Sequence, residues 1–161
     1  MAQIDPQQGL QPSVLDRLID PEAMGTSWRR GYGLADMVNV VRRDLEDLLN
    51  TRRHEPEALA TEWPEIERSI LGYGLPDLTS LDTITPQQRE EIGRLLEAIV
   101  LRYEPRLREV RATLVDPGDN KQPTVRFRID ARLSVDPAPE VAFETILELT
   151  SGHSSVKQAE S

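Results

Sequence analysis

Residues 85 to 107, TPQQREEIGRLLEAIVLRYEPRL, contain the pattern that decides the fold. Thr85 can accept from an early backbone N–H, Pro86 suits the first helical position, and Gln88 can reach back to the start. Apolar side chains then recur at three- and four-residue spacing and share one face: Ile92, Leu95, Leu96, Ile99 and Tyr103, with Val100 beside them. The pattern predicts a core helix.

A charged break follows this helix. Pro105 disfavours helical geometry at Glu104 and lacks a backbone donor, so the helix is predicted to end at Tyr103 or Glu104. Glu104 and Arg106 then have two interpretations. They form either a corner fixed by carboxylate–guanidinium hydrogen bonds or an exposed contact with a neighbouring protein. In the second case we expect Arg106→Ala to leave the fold largely intact.

A second helix is predicted over residues 34 to 50, LADMVNVVRRDLEDLLN, whose apolar side chains form a continuous stripe. A shorter helical piece is predicted over residues 13 to 20. Arg52 and Arg53 follow the longer helix, where two cations suit the negative end of the helix dipole. The alternative is that they contact an anionic group on a partner.

After residue 107 the hydrophobic period changes from 3.6 to 2, which is typical of strands. Three strands are predicted, over residues 110 to 114, 125 to 135 and 141 to 149, with a turn at residues 116 to 120. The predicted fold class is α+β, with N-terminal helices packed on one face of a C-terminal three-stranded, mostly antiparallel sheet.

Hydrophobic and charge patterns favour one register for the last two strands. If Leu133 lies opposite Phe143, Arg132 lies opposite Glu144 and Arg128 lies opposite Glu148.

The last strand contains no lysine or proline to block its edge. That edge is therefore either covered by the protein itself or open to a strand from another chain. The strand residues that a partner would contact are Val141, Phe143, Thr145 and Leu147.

Composition sets the remaining limits. The 161 residues are 38% hydrophobic, and we expect a flexible arm at residues 1–12, a single domain at 13–150 and a flexible tail at 151–161. The absence of cysteine fits a cytoplasmic location, and no apolar run has membrane-spanning length. A net charge of -9 argues against nucleic acid as a partner.

Recognisable catalytic motifs are absent from the sequence. It has no Gly-rich phosphate loop, zinc-ligand spacing or nucleophile elbow, so we predict no catalytic residues, no cofactor and no metal. Glu104 is the best candidate for an acid in a lysozyme-like cleft, but Arg106 would hold it ionised.

Three segments resemble a known family: DLEDLLNTRR (44–53), ERSILGYGLPDLTSL (67–81) and AIVLRYEPRLREVRATL (98–114). Together they resemble TssE, the type VI secretion baseplate subunits related to the wedge protein of contractile phage tails. The resemblance covers roughly residues 12 to 150, and the LLNTRR and YGLPDL segments favour the secretion branch.

The resemblance implies a non-enzymatic scaffold that links a baseplate wedge to the contractile sheath. It implies that Glu104, Pro105 and Arg106 lie where the wedge subunits TssF and TssG meet this chain. It also implies that the sheet edge provides a template for the sheath subunits TssB and TssC. The alternatives are a peptidoglycan-cleaving lysozyme-like enzyme and a baseplate subunit of a phage tail or another contractile injection machine.

Overall fold

A computed structural model describes residues 14–19, 33–53, 63, 65–66, 69–78, 85–115, 124–135, 138–148 and 151–159. The helices are α1 (Val14–Ile19), α2 (Leu34–Asn50) and α3 (Pro86–Tyr103), with a short 3-10 turn at Ile70–Gly72. The strands are β1 (Leu107–Val115), β2 (Thr124–Leu133), β3 (Glu140–Glu148) and β4 (Ser154–Gln158). The predicted arm at residues 1–12 and the predicted turn at 116 to 120 lie outside the described residues.

The chain divides into two compact units, residues 1–41 and 42–161. The first unit contains α1 and the beginning of α2. There the backbone N–H of Gly33 donates to the Asp36 carboxylate (3.0 Å), and the N–H of Met37 donates to the Gly33 carbonyl (3.1 Å). The first bond satisfies the Gly33 N–H, which a helix start leaves unpaired, and the second is the first regular backbone bond of the helix.

The second unit contains the rest of α2, α3 and the sheet. The N-terminus of α3 is the predicted capping box: the Thr85 hydroxyl accepts from the Gln88 N–H (3.3 Å), and the Gln88 side chain accepts from the Thr85 N–H (2.9 Å). The helix ends at Tyr103, as predicted, and Glu104 is its C-cap. Within the described ranges, no helix is long and apolar enough to cross a membrane.

The strands form one antiparallel sheet in the order β1-β2-β3-β4. Alternate residues of β2 are buried and make up its inner face: Val125, Phe127, Ile129, Ala131 and Leu133. Helix α3 packs on this side, because a Cβ placed on Gly93 would lie 3.6 Å from both the Phe127 ring and the Ala112 carbonyl oxygen. The α+β class is confirmed.

The predicted register of β2 and β3 is wrong by four residues. Phe143 lies opposite Ile129, not Leu133, and Arg132 lies opposite Glu140, to which it donates at 2.8 Å. An even shift keeps every side chain on its predicted face, so alternation alone cannot separate the two registers. The connection decides between them: Leu133 N–H donates to the Pro139 carbonyl (3.0 Å), and β3 begins at Glu140.

The predicted number of strands is also wrong. The segment SSVKQ (154–158), expected to be part of a flexible tail, forms β4 and pairs with β3 from Phe143 to Leu147. Its alternation is short and uses the small residue Ser154, so it gives little hydrophobic signal. The β3 edge is therefore covered by the protein itself.

Candidate functional site

The three segments that resemble the baseplate family meet at one place in the second unit. We call this place the charged corner and define it by Asp44, Tyr73, Tyr103, Glu104 and Arg106. Asp44 comes from α2, Tyr73 follows the 3-10 turn, and the other three lie at or just after the end of α3.

Glu104 is the buried anion of the charged corner, with 4% of its surface exposed. Its Oε1 accepts from the backbone N–H of Arg106 (3.1 Å) and from Arg106 Nε (2.7 Å), while its Oε2 accepts from Arg106 Nη2. Pro105 makes this turn, and the carboxylate closes it. The sequence interpretation of a corner fixed by carboxylate–guanidinium bonds is therefore confirmed.

Arg106 also joins this turn to α2. Its Nη2 donates to Asp44 Oδ2 at 2.6 Å, and Asp44 Oδ1 accepts from Arg43 at 2.8 Å. Burial by itself would lower the pKa of the Arg106 guanidinium, but its hydrogen bonds to Glu104 and Asp44 outweigh this effect. The pKa of Arg106 is raised above its ordinary value, so the residue stays charged.

Tyr73 is the aromatic part of the charged corner. Its ring packs edge-to-face on Tyr103, with 5.2 Å between the ring centroids. Burial, and then the negative charges of Asp47, Asp44 and Glu104, raise the pKa of the Tyr73 hydroxyl. The tyrosine is therefore held in its neutral form.

A glycine brings the Tyr73 segment against the end of α2. Leu75 N–H donates to the Thr51 carbonyl (2.8 Å), and Arg53 N–H donates to the Leu75 carbonyl (2.7 Å). Gly74, the residue before Leu75, has a φ of +104°, and a Cβ there would lie 2.2 Å from the Thr51 carbonyl oxygen. Only glycine fits this approach.

Sequence reasoning missed Asp44 and Tyr73 as members of the site. Asp44 adjoins the apolar α2 stripe, next to Leu45 and three residues after Val41, and an acid beside a buried stripe is the signal that could have identified it. The position of Tyr73 against the acids depends on tertiary contacts that no local pattern gives.

The structure places the two predicted arginines beyond the end of α2. Arg52 Nη2 donates to the Ser151 carbonyl at 2.8 Å. The Arg53 backbone pairs with Leu75, and its guanidinium has no hydrogen bond or ion pair within the part of the chain that is described. Arg53 is thus a half-buried cation without a counter-charge there.

The four β3 residues that were predicted to contact a partner lie in the sheet and not at the charged corner. Phe143, Thr145 and Leu147 are buried in the core, and Val141 is half-buried. They do not form an open edge, because β4 pairs with this strand.

The described residues contain no group of three or more His, Cys, Asp or Glu side chains arranged to hold a metal ion. His54 lies outside the described ranges, and His153 is exposed at the turn before β4. The carboxylate of Glu104 is occupied on both oxygens, so it holds the chain turn in place.

Comparison with known proteins identifies the family of this chain. The model of the family described as baseplate wedge protein gp25 matches residues 35–138, which is more than half of the chain. The chain belongs to the gp25 family of baseplate wedge proteins. The match includes all five residues of the charged corner, and it confirms the resemblance to a baseplate subunit.

Comparison with curated proteins finds no match. A chain in a solved structure described as the baseplate complex from the type VI secretion system is 16% identical, with a TM-score of 0.48. That match covers 79% of this chain and 97% of the other.

Proposed function

We propose that this gp25-family chain is a structural subunit of the type VI secretion baseplate, on the cytoplasmic side of the machine. The observation that carries the proposal is that the three separate segments resembling TssE, two of which favour the secretion branch, fold into one charged corner. Residues far apart in the sequence are held together there by hydrogen bonds that fix geometry and leave no carboxylate free for chemistry.

The contact with the wedge subunits TssF and TssG is proposed to lie on the solvent side of this corner. Pro105 is exposed beside the buried Glu104, and Arg52 and Arg53 lie on the strand-like stretch that pairs with Leu75. Cations presented on a backbone that is already fixed would select an acidic partner surface at low ordering cost. In this arrangement Glu104 and Arg106 shape the surface, and their neighbours touch the partner.

We propose that the sheet makes the contact with the sheath subunits TssB and TssC. Val141, Phe143, Thr145 and Leu147 would provide the acceptor strand, since alternating side chains fix the register of an added strand. In the isolated chain β4 occupies that position. A sheath strand would therefore have to take its place.

Co-purification tests the wedge contact. The full chain is co-expressed with TssF and TssG, and compared with an Arg52→Glu, Arg53→Glu double variant. An Arg94→Glu variant is the control, because Arg94 is an exposed residue of α3 that pairs with the exposed Glu90 (3.4 Å). We expect the double variant to lose the complex while keeping its helical circular dichroism. Retention of the complex by the folded double variant would contradict the proposed contact.

We propose a non-enzymatic role. A glycosidase acid must be protonated in a desolvated pocket facing a sugar, whereas Glu104 accepts three hydrogen bonds from Arg106. The purified chain is expected to release no soluble fragments from peptidoglycan. Release that Glu104→Gln abolished would establish the enzyme instead.

A further inference from the structure

Arginines are concentrated on the face of the sheet that points away from α3. Directly paired residues of neighbouring strands share a face, so the register of β1 and β2 shows which side chains lie on this one. We call its arginines the arginine strip: Arg108, Arg111, Arg126, Arg128 and Arg132. β1 and β2 contain only two acids, Glu109 and Asp130. A chain with a net charge of -9 therefore carries a positive surface here.

Three arginines of the strip have no counter-charge. They are exposed, and their guanidinium groups make no hydrogen bond or ion pair within the described residues: Arg108, Arg111 and Arg126. Arg108 also lies directly opposite Arg132, and like charges in that position destabilise a sheet. From Arg132 to Arg126 the strip extends for roughly 20 Å at the spacing of a strand. An anion lying along it would remove this repulsion.

A row of acids borders the strip on β3. The outward-facing residues of β3 include Glu140, Glu144 and Glu148. Arg132 donates to Glu140 at 2.8 Å, and Arg128 lies opposite Glu144. Positive charge is therefore confined to β1 and β2, and it runs parallel to the strands.

A β-bulge opens a cavity within the strip. The register of β1 and β2 shifts between Arg108 and Arg111, and Glu109 has a φ of 54°. That conformation costs energy for a residue other than glycine, and bulges of this kind re-aim the side chains around them. The cavity has a volume of about 900 Å³, and its lining includes Arg111 and the small side chain of Ala142. An unpaired guanidinium thus borders a space that can hold a carboxylate from another chain.

We propose that the arginine strip binds an extended acidic segment of a partner protein, which lies on the face of the sheet along β1 and β2. Its carboxylates pair with Arg108, Arg111 and Arg126, and one of them enters the cavity beside Arg111. Guanidinium–carboxylate pairs can be bidentate, so they fix orientation as well as adding energy. Alternate residues of an extended segment have the same spacing as alternate residues of the strip.

The acids on β3 determine the direction and the class of the partner. They repel an acidic segment that crosses the sheet, so the segment runs along the strands. They also disfavour nucleic acid, whose phosphates would approach Glu140 and Glu144 as well as the arginines. The strip shares no residue with the charged corner or with the β3–β4 edge. The proposal therefore does not depend on the proposed function.

The test uses the purified full chain and a fluorescent synthetic peptide in which glutamate alternates with threonine. Fluorescence anisotropy at low salt compares wild type with an Arg111→Gln, Arg126→Gln double variant. The matched control is an Arg94→Gln, Lys157→Gln double variant, which makes the same change in net charge at exposed positions outside the strip. We expect binding to weaken at least fivefold in the strip variant and less than twofold in the control.

Three results would overturn the proposal. The first is an equal loss of affinity in the two double variants, because the peptide would then respond to net charge alone. The second is wild-type binding no tighter than that of the same peptide with glutamine in place of glutamate. The third is tighter binding of a single-stranded oligonucleotide of equal charge, lost in the strip variant, which would assign the strip to nucleic acid. No baseplate or sheath subunit is present, so these failures are distinct from failure of the baseplate role.

NMR on the wild-type chain tests the same contact without any substitution. Addition of the glutamate peptide should shift the side-chain Nε–H signals of Arg111 and Arg126 and leave that of Arg94 unchanged. Equal shifts at all three arginines, or none at the two strip residues, would overturn the proposal even if a double variant did not fold.

Discussion

Arg106 is the residue on which the charged corner depends. It neutralises the buried Glu104 and reaches Asp44 on α2, so it connects parts of the chain that are 62 residues apart in sequence. Removing one partner of a buried pair leaves a desolvated charge, which is much more costly than losing an exposed pair. The interpretation of Arg106 as a purely exposed contact therefore does not fit the structure.

We predict that Arg106→Ala lowers the free energy of unfolding by at least about 2 kcal/mol, because Glu104 remains buried without its counter-charge. Urea denaturation measures the change. Arg94→Ala is the control, since it removes an exposed pair whose contribution is at most about 0.5 kcal/mol. Equal changes for the two variants would show that the corner does not stabilise the fold.

Tyr73 gives the corner a dependence on pH. Its folded pKa is raised above 10.0, so its neutral form is favoured by folding. This contribution is fully present below pH 10 and is lost as the pH rises through the folded pKa. We predict that the melting temperature falls more steeply above pH 10 in wild type than in Tyr73→Phe. Thermal scans between pH 8 and 11 measure this, and parallel curves would contradict it.

At the scale of elements, alanine substitutions at two glycines are expected to change the free energy of unfolding in opposite directions. Gly74→Ala should lower the free energy of unfolding by at least about 2 kcal/mol, because φ is +104° and the new Cβ would clash with the Thr51 carbonyl. Gly93→Ala, in the interior of α3, should raise it by up to about 1 kcal/mol, since its Cβ would meet its neighbours at 3.6 Å. Urea denaturation of the two variants measures both changes. A greater loss of stability in Gly93→Ala than in Gly74→Ala would contradict the described turn.

The link between α2 and β4 depends on Asn50. Asn50→Ala removes both hydrogen bonds to Ser154, so we predict faster amide exchange in β4 and a loss of about 1 kcal/mol of stability. Asn39→Ala, at an exposed position on the same helix, is the matched control. Unchanged exchange in β4 of the Asn50 variant would show that the Asn50 side chain does not hold the strand.

The elements with strong local signals could be predicted from sequence. α2 was predicted at its observed limits, and the α3 capping box and end were correct, because caps, Pro105 and helical periodicity act over a few residues. The β2–β3 register and β4 could not be predicted. An even register shift preserves alternation, and β4 is stabilised by side chains of α2 that lie more than 100 residues away.

At the scale of the whole molecule, the site was predicted only in part. Glu104, Pro105 and Arg106 were identified because the Glu-Pro-Arg break is visible in the sequence. Asp44 and Tyr73 come from other segments, and only folding brings them to the same corner. The family match, over residues 35–138, covers all of these segments.

We propose that the internal ion pairs of the charged corner shape a surface for assembly, and that this surface touches the wedge subunits. The chain contains no cysteine, so one introduced cysteine gives a unique position for cross-linking.

The most direct measurement is thiol-specific cross-linking in cells that assemble the baseplate, with Arg53→Cys beside the corner and Arg94→Cys on the exposed surface of α3. We expect an adduct with TssF or TssG from position 53 and none from position 94. Equal adducts from both positions, or an adduct from position 94 alone, would contradict the proposed contact.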